Sequence, residues 1–249
     1  MKPHQFIWLF CFIVCFTAAC TKQAEPVNSA IASSQENATA INQFNSADFL
    51  FVTGVNNPYF PLKPGTDFHF INLIKDGADV GYENEHAIVT SDIKQILGVN
   101  CTVVHDQLKV AGQVTEDTYD WYAQDKFGNV WYFGEDTKAR THNGWSTEGS
   151  WEAGKDGAKP GIFMFANPAR HIGQTYYQEF LPGVAEDEAT LLNTNSTVTV
   201  PYGSFSNCVK TREFTKLEPD DIEYKYYAYG VGQVLGVSAT ERDELVDVK

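Results

Sequence analysis

The sequence predicts an all-β fold, mainly antiparallel, in which a curved meander sheet forms a half-barrel or a barrel. Two observations lead to this prediction. Short segments rich in β-branched and aromatic residues follow one another at regular spacing, and turns containing Gly or Asn separate them. The segments do not alternate with long amphipathic helices, which argues against a parallel α/β sheet.

The first twenty residues are typical of a bacterial lipoprotein signal. Lys2 precedes an apolar run from Phe6 to Phe16, and small residues then lead to Cys20. A charged start, an apolar run too short to span a bilayer and a small-residue cleavage site together indicate secretion. Because a Cys directly follows the small residues, the segment resembles a lipobox. We therefore expect residues 1–20 to act as the signal and Cys20 to carry the lipid.

Residues 21–47 are rich in Ala, Ser, Asn and Gln, and this composition predicts a flexible, disordered tether. Residues 48–249 are predicted to form a single β domain, which is long enough to bury a core. The membrane is then an expected partner, reached through acyl chains such as palmitate on Cys20. Thr21 follows the cysteine where a retention signal would have Asp, which favours the outer membrane, facing the periplasm or the cell surface.

The formal net charge of −14 excludes nucleic acid as an expected partner, because an acidic surface repels the phosphate backbone. Cationic partners or metal ions would suit this charge. The charge is also explained by the simple need to keep a periplasmic domain soluble.

Two cysteines, Cys101 and Cys208, remain once Cys11, Cys15 and Cys20 are assigned to the signal segment. The cell envelope is an oxidising compartment, so we expect Cys101 and Cys208 to form a disulfide. Two buried free thiols are the alternative.

Catalytic motifs are scarce, which favours a protein that is not an enzyme. The chain contains no H-E-x-x-H, C-x-x-C or G-x-S-x-G pattern, and its histidines are scattered. We therefore predict no cofactor and no metal site. Carboxylates crowd the region from residue 116 to residue 156, however, and they leave two alternatives open: a calcium-stabilised module and a glycosidase.

The most unusual stretch is DWYAQDKFGNVWYFGED, residues 120–136, in which six of seventeen residues are aromatic. A three-residue loop at 126–128, with Gly128 in the left-handed region, makes it a hairpin, and a two-residue loop with shifted partners is the alternative. This register places Ala123 opposite Trp131 and Trp121 opposite Phe133 on one face, and Tyr122 opposite Tyr132 on the other. Both faces are then aromatic. One face must pack the core, and the other must be covered or must hold a ligand.

A family resemblance covers most of the region from residue 57 to residue 236. The segments NPYFPLKPGT, GSWEAGKDGAKPGI, PGVAEDEA, VPYGSF and YYAYGVGQVLG, together with the hairpin, resemble a group of bacterial lipoproteins and secreted proteins. The last segment is also similar to the closing strand of periplasmic β-domains that look like half-barrel carriers of lipoproteins or lipids. The resemblance implies a half-barrel fold and supplies no catalytic residue.

Three occupants would satisfy the second aromatic face. The connection 155–173 could cover it with Ile162, Phe163, Met164 and Phe165, a lipid could fill it, or a sugar could stack on it. The candidate ligand-binding residues are Trp121, Tyr122, Trp131, Tyr132, Phe133, Trp145 and Trp151. The sequence thus favours an outer-envelope lipoprotein that binds a hydrophobic ligand or an envelope protein. A carbohydrate-binding or carbohydrate-hydrolysing protein and a calcium-stabilised structural module are the alternatives.

Overall fold

The computed structural model of the protein describes residues 43–50, 54–76 and 79–249. The predicted signal, the lipidation site Cys20 and most of the predicted tether lie outside the described residues. Among the residues that are described, no helix is both long enough and apolar enough to cross a membrane.

The described chain folds almost entirely into strands, accompanied by two single-turn 3-10 helices, Ser46–Phe49 and Pro168–His171. The strands of the first half are β1 Val55–Asn57, β2 Phe60–Leu62, β3 Asp67–Asp76, β4 Asp79–Ile96, β5 Val99–Val110, β6 Gln113–Gln124, β7 Val130–Thr141, β8 Gly144–Ser146 and β9 Trp151–Glu152. Those of the second half are β10 Lys159–Met164, β11 Thr175–Tyr177, β12 Glu179–Phe180, β13 Asp187–Val200, β14 Gly203–Thr215, β15 Ile222–Ala228, β16 Gly232–Val237 and β17 Glu241–Val248.

Two antiparallel meanders lie side by side in one sheet. Strands β13 to β17 are neighbours in chain order, and so are strands β3 to β7. The last strand, β17, pairs with β3 and joins the two meanders, with Leu245 opposite Phe70. Strands β8 and β9 both pair with β7, while β1 and β2 form a separate hairpin.

The sheet nearly closes on itself through one short segment. β11 pairs with β13 at one end of the sheet, and β12 pairs with β10 at the other, yet Gln178 alone separates β11 from β12 in sequence. The segment crosses β10 so closely that a Cβ atom on Gly161 would lie 2.3 Å from the carbonyl oxygen of Gln178. The result is a barrel-like antiparallel sheet, which confirms the predicted fold class. Its enclosed space is called the lumen.

The aromatic hairpin forms between β6 and β7 in the predicted register near its turn. Tyr122 faces Tyr132 and Ala123 faces Trp131. The turn is held by the buried carboxylate of Asp125, which accepts four hydrogen bonds, each 2.9 Å long, from Phe127 N, Asn129 N, Asn129 Nδ2 and Trp131 Nε1.

Further from the turn the predicted register is wrong, because a bulge interrupts β7. The register shifts between Asp120 and Tyr122, so that Asp120 faces Glu135 instead of Gly134. Gly134 has a φ of 128°, and a Cβ atom there would lie 2.2 Å from the carbonyl oxygen of Trp151. Only glycine combines this backbone conformation with this close approach of β9. The bulge therefore turns Glu135 to the same face as Asp120.

Both faces of the hairpin are covered by the chain itself. On the outer face, the rings of Phe44 and Phe49 lie 6.1 and 6.0 Å from that of Trp131, and each lies 5.7 Å from that of Phe133. Lys94 Nζ lies 3.3 Å from the ring centre of Trp121. Phe44 precedes the predicted domain boundary at residue 48, so packing begins earlier than that boundary.

On the inner face, Tyr122 and Tyr132 stack with their ring centres 4.7 Å apart. Phe163 lies 5.1 Å from Tyr122, and Phe60, from the β1–β2 hairpin, packs against both at 4.5 and 5.1 Å. The connection 155–173, which was one of the three predicted occupants of this face, thus covers it with Phe163. The covering segment is strand β10 rather than a loop. These side chains fill one end of the lumen.

The predicted disulfide is wrong, because Cys101 and Cys208 are free, buried thiols. Cys101 lies on β5 in the larger core cluster, whereas Cys208 lies on β14 in a second cluster that includes Val234 and Leu245. Five strands separate β14 from β5 in the sheet. A disulfide needs Cα atoms within about 7 Å of each other, and this spacing prevents such an approach. Burial raises the pKa of the Cys101 thiol to about 12.

Candidate functional site

Carboxyl groups line much of the lumen. The strand registers place inner-face residues opposite one another, so that Asp106 faces Thr118, Asp120 faces Glu135, and Glu213 faces Glu223. Ten described carboxyl residues share this environment, and we call them the lumen carboxylates: Glu85, Asp106, Glu116, Asp120, Glu135, Glu179, Asp187, Glu223, Glu241 and Asp243.

These side chains are only half-buried although protein surrounds them, which indicates that they border an internal space accessible to water. For each of the lumen carboxylates, burial is the largest cause of a raised pKa, since loss of water disfavours the charged form. Repulsion from neighbouring carboxylates adds to the effect for most of them. The pKa of Asp120 rises to about 7, with Glu116 and Glu85 as its like-charged neighbours. The pKa of Glu241 also rises to about 7.

One lysine stands among these acids on the described inner face. Lys225 Nζ lies 3.1 Å from Glu213 Oε2 and 3.4 Å from Glu223 Oε2. Glu213 is itself buried, and its Oε1 accepts hydrogen bonds from the hydroxyls of Thr211 (2.8 Å) and Tyr227 (3.1 Å). Although burial opposes the charge on Lys225, Glu213 and Glu223 attract it and hold the pKa of the ammonium well above its usual range.

The aromatic and acidic parts of the lumen meet at Tyr132. Its hydroxyl donates a hydrogen bond to Asp120 Oδ1 and lies 3.4 Å from Glu135 Oε2. Nearby, burial and repulsion from Glu85 raise the pKa of Asp106 well above its usual range. Raised pKa values of this kind favour a mixture of protonated and ionised acids in the lumen near neutral pH.

Two acceptor oxygens in the lumen lack a donor. Asp243 on β17 faces Asn72 on β3, and the Oδ1 atom of each is buried without a hydrogen-bond partner among the described residues. Their other polar atoms are engaged: Gln233 Nε2 donates to Asp243 Oδ2 (2.9 Å), and Asn72 Nδ2 donates to Glu85 Oε2 (3.4 Å). Next to Asp243 lies Gly236, which places no side chain in the lumen.

A surface pocket of about 380 Å³ lies beside the turn that connects β16 to β17, at the end of the sheet opposite the aromatic cluster. It is lined by Glu218, Pro219, Asp220, Asp221, Ile222, Ser238, Ala239 and Thr240. Glu241 follows this lining directly, and its carboxylate interacts with Glu223 and Asp221. Acidic groups therefore continue from the pocket to the lumen.

The aromatic residues predicted to bind a ligand lie mostly within the packed core. Buried positions are occupied by Trp121, Tyr122, Trp131, Tyr132, Phe133 and Trp151. Trp145, on β8, is 49% exposed and lies beside Arg140, whose guanidinium carbon is 5.1 Å from the indole ring. Trp145 is therefore separate from the cluster that includes the other six, and a ligand-binding role for any of the seven stays a prediction.

The histidines are less scattered than their spacing suggests. Cross-strand pairing stacks His69 on His86 with ring centres 4.4 Å apart, and His105 stacks on Tyr119 at 4.3 Å. Carboxylates accept hydrogen bonds from two of them, Asp67 from His86 (3.0 Å) and Asp117 from His105 (2.7 Å). Within the described part of the chain, no three His, Cys, Asp or Glu side chains are arranged to hold a metal ion.

Comparison with known proteins yields fold neighbours but no family. The sequence matches no protein-family model and no curated protein. A candidate exported protein of Bacteroides fragilis with a YmcC-like fold aligns with a TM-score of 0.43 and 15% identity, over 77% of this chain and 98% of that chain. A candidate lipoprotein of Parabacteroides distasonis aligns with a TM-score of 0.43 and 11% identity, over 78% and 99%.

At TM-scores this low, neither similarity supports a statement about the function of this chain.

Sequence reasoning missed the lumen carboxylates as a group. A signal was present, because acidic residues recur two or four positions apart on several strands: Glu83 and Glu85, Glu116 and Asp120, Glu241 and Asp243. Side chains two residues apart on a strand share a face. What the pattern could not show was that the face in question turns inward.

Proposed function

We propose that this protein is a lipid-anchored envelope protein that binds a small organic cation in its lumen and does not act as an enzyme. The anchor is supported by the signal segment that ends at Cys20. The binding role is supported above all by the charge imbalance of the lumen, where the ten lumen carboxylates and Glu213 share the described inner face with one lysine, Lys225.

The imbalance favours a cationic ligand for an electrostatic reason. Carboxylates packed together away from water cannot all ionise, so they either keep their protons or gain positive partners. A bound cation would allow several of them to ionise at once. It would also satisfy acceptors that now lack donors, such as Asp243 Oδ1.

A hydrophobic ligand, as the sequence favoured, fits the lumen less well. Its apolar end is already filled by Phe60, Tyr122, Tyr132 and Phe163, whose rings contact one another. An acyl chain would have to enter among the carboxylates instead, where burying polar groups without partners is unfavourable. A sugar cannot stack on these aromatic side chains either, because their faces are already covered by other side chains.

The test is a thermal-unfolding panel on the full-length protein in detergent. Spermidine, choline, sodium chloride, palmitate and a maltooligosaccharide are compared at equal ionic strength, and native mass spectrometry identifies any ligand retained from the cell's own membrane. We expect spermidine to raise the melting temperature, as any ligand of the folded state does. Palmitate and the sugar should leave it unchanged.

A matched pair of variants separates the lumen from general surface charge. Asp106→Asn removes an ionisable carboxyl group from the lumen, whereas Asp136→Asn makes the same change on the exposed face of β7. Only the first should weaken the effect of spermidine. A retained fatty acid, or a spermidine shift that both variants reduce equally, would contradict the proposal.

A further inference from the structure

We propose that Asp243 and Asn72 form the subsite for a primary ammonium group, and that the ligand is a linear di- or polyamine. This inference rests on the proposed function and specifies its ligand.

The first support is the pair of donor-free oxygens. Asp243 and Asn72 face each other on neighbouring strands, and the Oδ1 atom of each is buried and unpartnered. An ionised Asp243 and the amide oxygen of Asn72 both accept hydrogen bonds, so a donor or a cation would satisfy both atoms. A metal ion fits poorly, because hard cations take six or more oxygen ligands and no group of three suitable side chains occurs in the described residues. An ammonium group supplies three N–H donors and one charge.

The second support is the shape of the surroundings. Gly236 faces Asp243, and because it has no side chain the carboxyl group of Glu223 lies over it and borders the subsite as a further acceptor. Two residues further along the same three strands lie the buried side chains of Val234, Leu245 and Phe70. These apolar residues close the lumen on that side, so a ligand must reach the subsite from the other direction.

That other direction leads to the surface pocket. Glu241 lies two residues from Asp243 on β17, which is about 7 Å at the usual rise of a strand. The pocket beyond it carries Glu218, Asp220 and Asp221. Positive groups separated by a few methylenes would meet carboxylates at each step, and a single compact cation would reach only one of them. This succession of acids points to a linear amine.

The experiment is calorimetric titration of the full-length protein in detergent with putrescine and with choline. Putrescine has N–H donors at both ends, whereas choline carries charge without an N–H donor. We expect Asp243→Asn to weaken putrescine binding by about 10- to 100-fold, the loss typical of a hydrogen bond to a charged group. Asp247→Asn makes the same change at an exposed position of β17 and should leave binding unchanged.

The outcomes distinguish the two proposals. If the wild-type protein binds no amine at all, both are overturned. If it binds putrescine but Asp243→Asn binds equally well, or choline binds as tightly, the subsite is overturned and the cation-binding lumen stands. If Asp243→Asn does not fold, as judged by circular dichroism, Asn72→Leu removes the second acceptor at nearly constant shape, and it must weaken putrescine binding for the subsite to stand.

Discussion

Lys225 Nζ lies 3.1 Å from Glu213 Oε2, in a lumen otherwise lined by acids. The lysine side chain is 24% exposed, so the pair is neither a surface salt bridge nor one sealed from water. The lumen carboxylates come from eight strands, β4 to β7, β12, β13, β15 and β17. Lys225 therefore acts as the built-in counter-ion of this space.

Removing this cation should destabilise the protein strongly at neutral pH. Lys225→Met keeps the length of the side chain but leaves Glu213 and Glu223 without their positive partner. Breaking a buried ion pair in this way costs about 3–5 kcal/mol. Urea unfolding at neutral pH measures the change in the free energy of unfolding.

The loss of stability in Lys225→Met should be smaller at acidic pH. Glu223 has a raised pKa and takes up a proton as the pH falls, so it then needs no counter-ion. Lys138→Met, on the exposed outer face of β7, is the control and should change stability by less than about 0.5 kcal/mol. If the two variants changed the free energy of unfolding equally, Lys225 would not be the counter-ion of the lumen.

Stability should fall as the pH rises from about 4 to above 7. The lumen carboxylates have raised pKa values, so the folded protein binds more protons than the unfolded chain in this window. The stability that these protons provide is lost as the pH passes the folded-state values, which are about 7 for Asp120 and Glu241. Asp117, Glu152 and Asp247 act in the opposite sense, because their pKa values are lowered, but these three acids are outnumbered by the ten lumen carboxylates.

Melting temperature as a function of pH measures this slope. Asp120→Asn should make the slope shallower, since the amide does not titrate, whereas the exposed Asp136→Asn should not alter it. A protein that becomes steadily more stable between mildly acidic and mildly basic pH would be incompatible with an acidic, partly dry lumen.

Closure of the barrel depends on Gly161. In Gly161→Ala the new methyl group would meet the backbone of Gln178, which cannot rotate away. We expect a loss of about 1–3 kcal/mol, the usual cost of overpacking, and faster hydrogen exchange in β11 and β12. Gly81→Ala on β4 is the matched control, because a Cβ atom there meets nothing within 4 Å. If β11 and β12 keep their protection from hydrogen exchange in Gly161→Ala, the contact between Gly161 and Gln178 is not what closes the sheet.

The outer cover of the aromatic hairpin should depend on Phe49. Truncating this buried ring in Phe49→Ala should cost about 3–5 kcal/mol and shift tryptophan emission to longer wavelength as water reaches Trp131. Phe127→Ala removes an equal ring from the tip of the same hairpin, where it is 63% exposed. That control should change stability by less than about 0.5 kcal/mol. No red shift in Phe49→Ala would mean that something else shields Trp131.

The sequence was sufficient to predict the class of fold and the turn of the aromatic hairpin, because both depend on local patterns. Alternating strands and the Asp125–Gly128 turn specify β6 and β7 without any long-range contact. The bulge at Gly134 could not be predicted, since its cause is the approach of β9. The disulfide was wrong for a similar reason, because compartment and cysteine number say nothing about the five strands between Cys101 and Cys208.

The candidate site was hidden by the same limitation. Glu223 and Lys225 look like an ordinary solvated strand face until β11 and β12 close the sheet around them. The aromatic residues were the candidates because they cluster in one hairpin, yet the chain uses six of the seven for packing. The half-buried acids, common in any acidic protein, became informative only once their shared face was known.

Calorimetric titration of the full-length protein with spermidine, repeated in two buffers of different ionisation enthalpy, tests the central claim most directly. The lumen carboxylates hold protons near neutral pH and must release some of them when a cation binds. We therefore expect saturable binding whose heat depends on the buffer, and tighter binding at about pH 8 than at about pH 5.5. Absence of binding, or binding with no proton release and no dependence on pH, would contradict a cation-binding lumen.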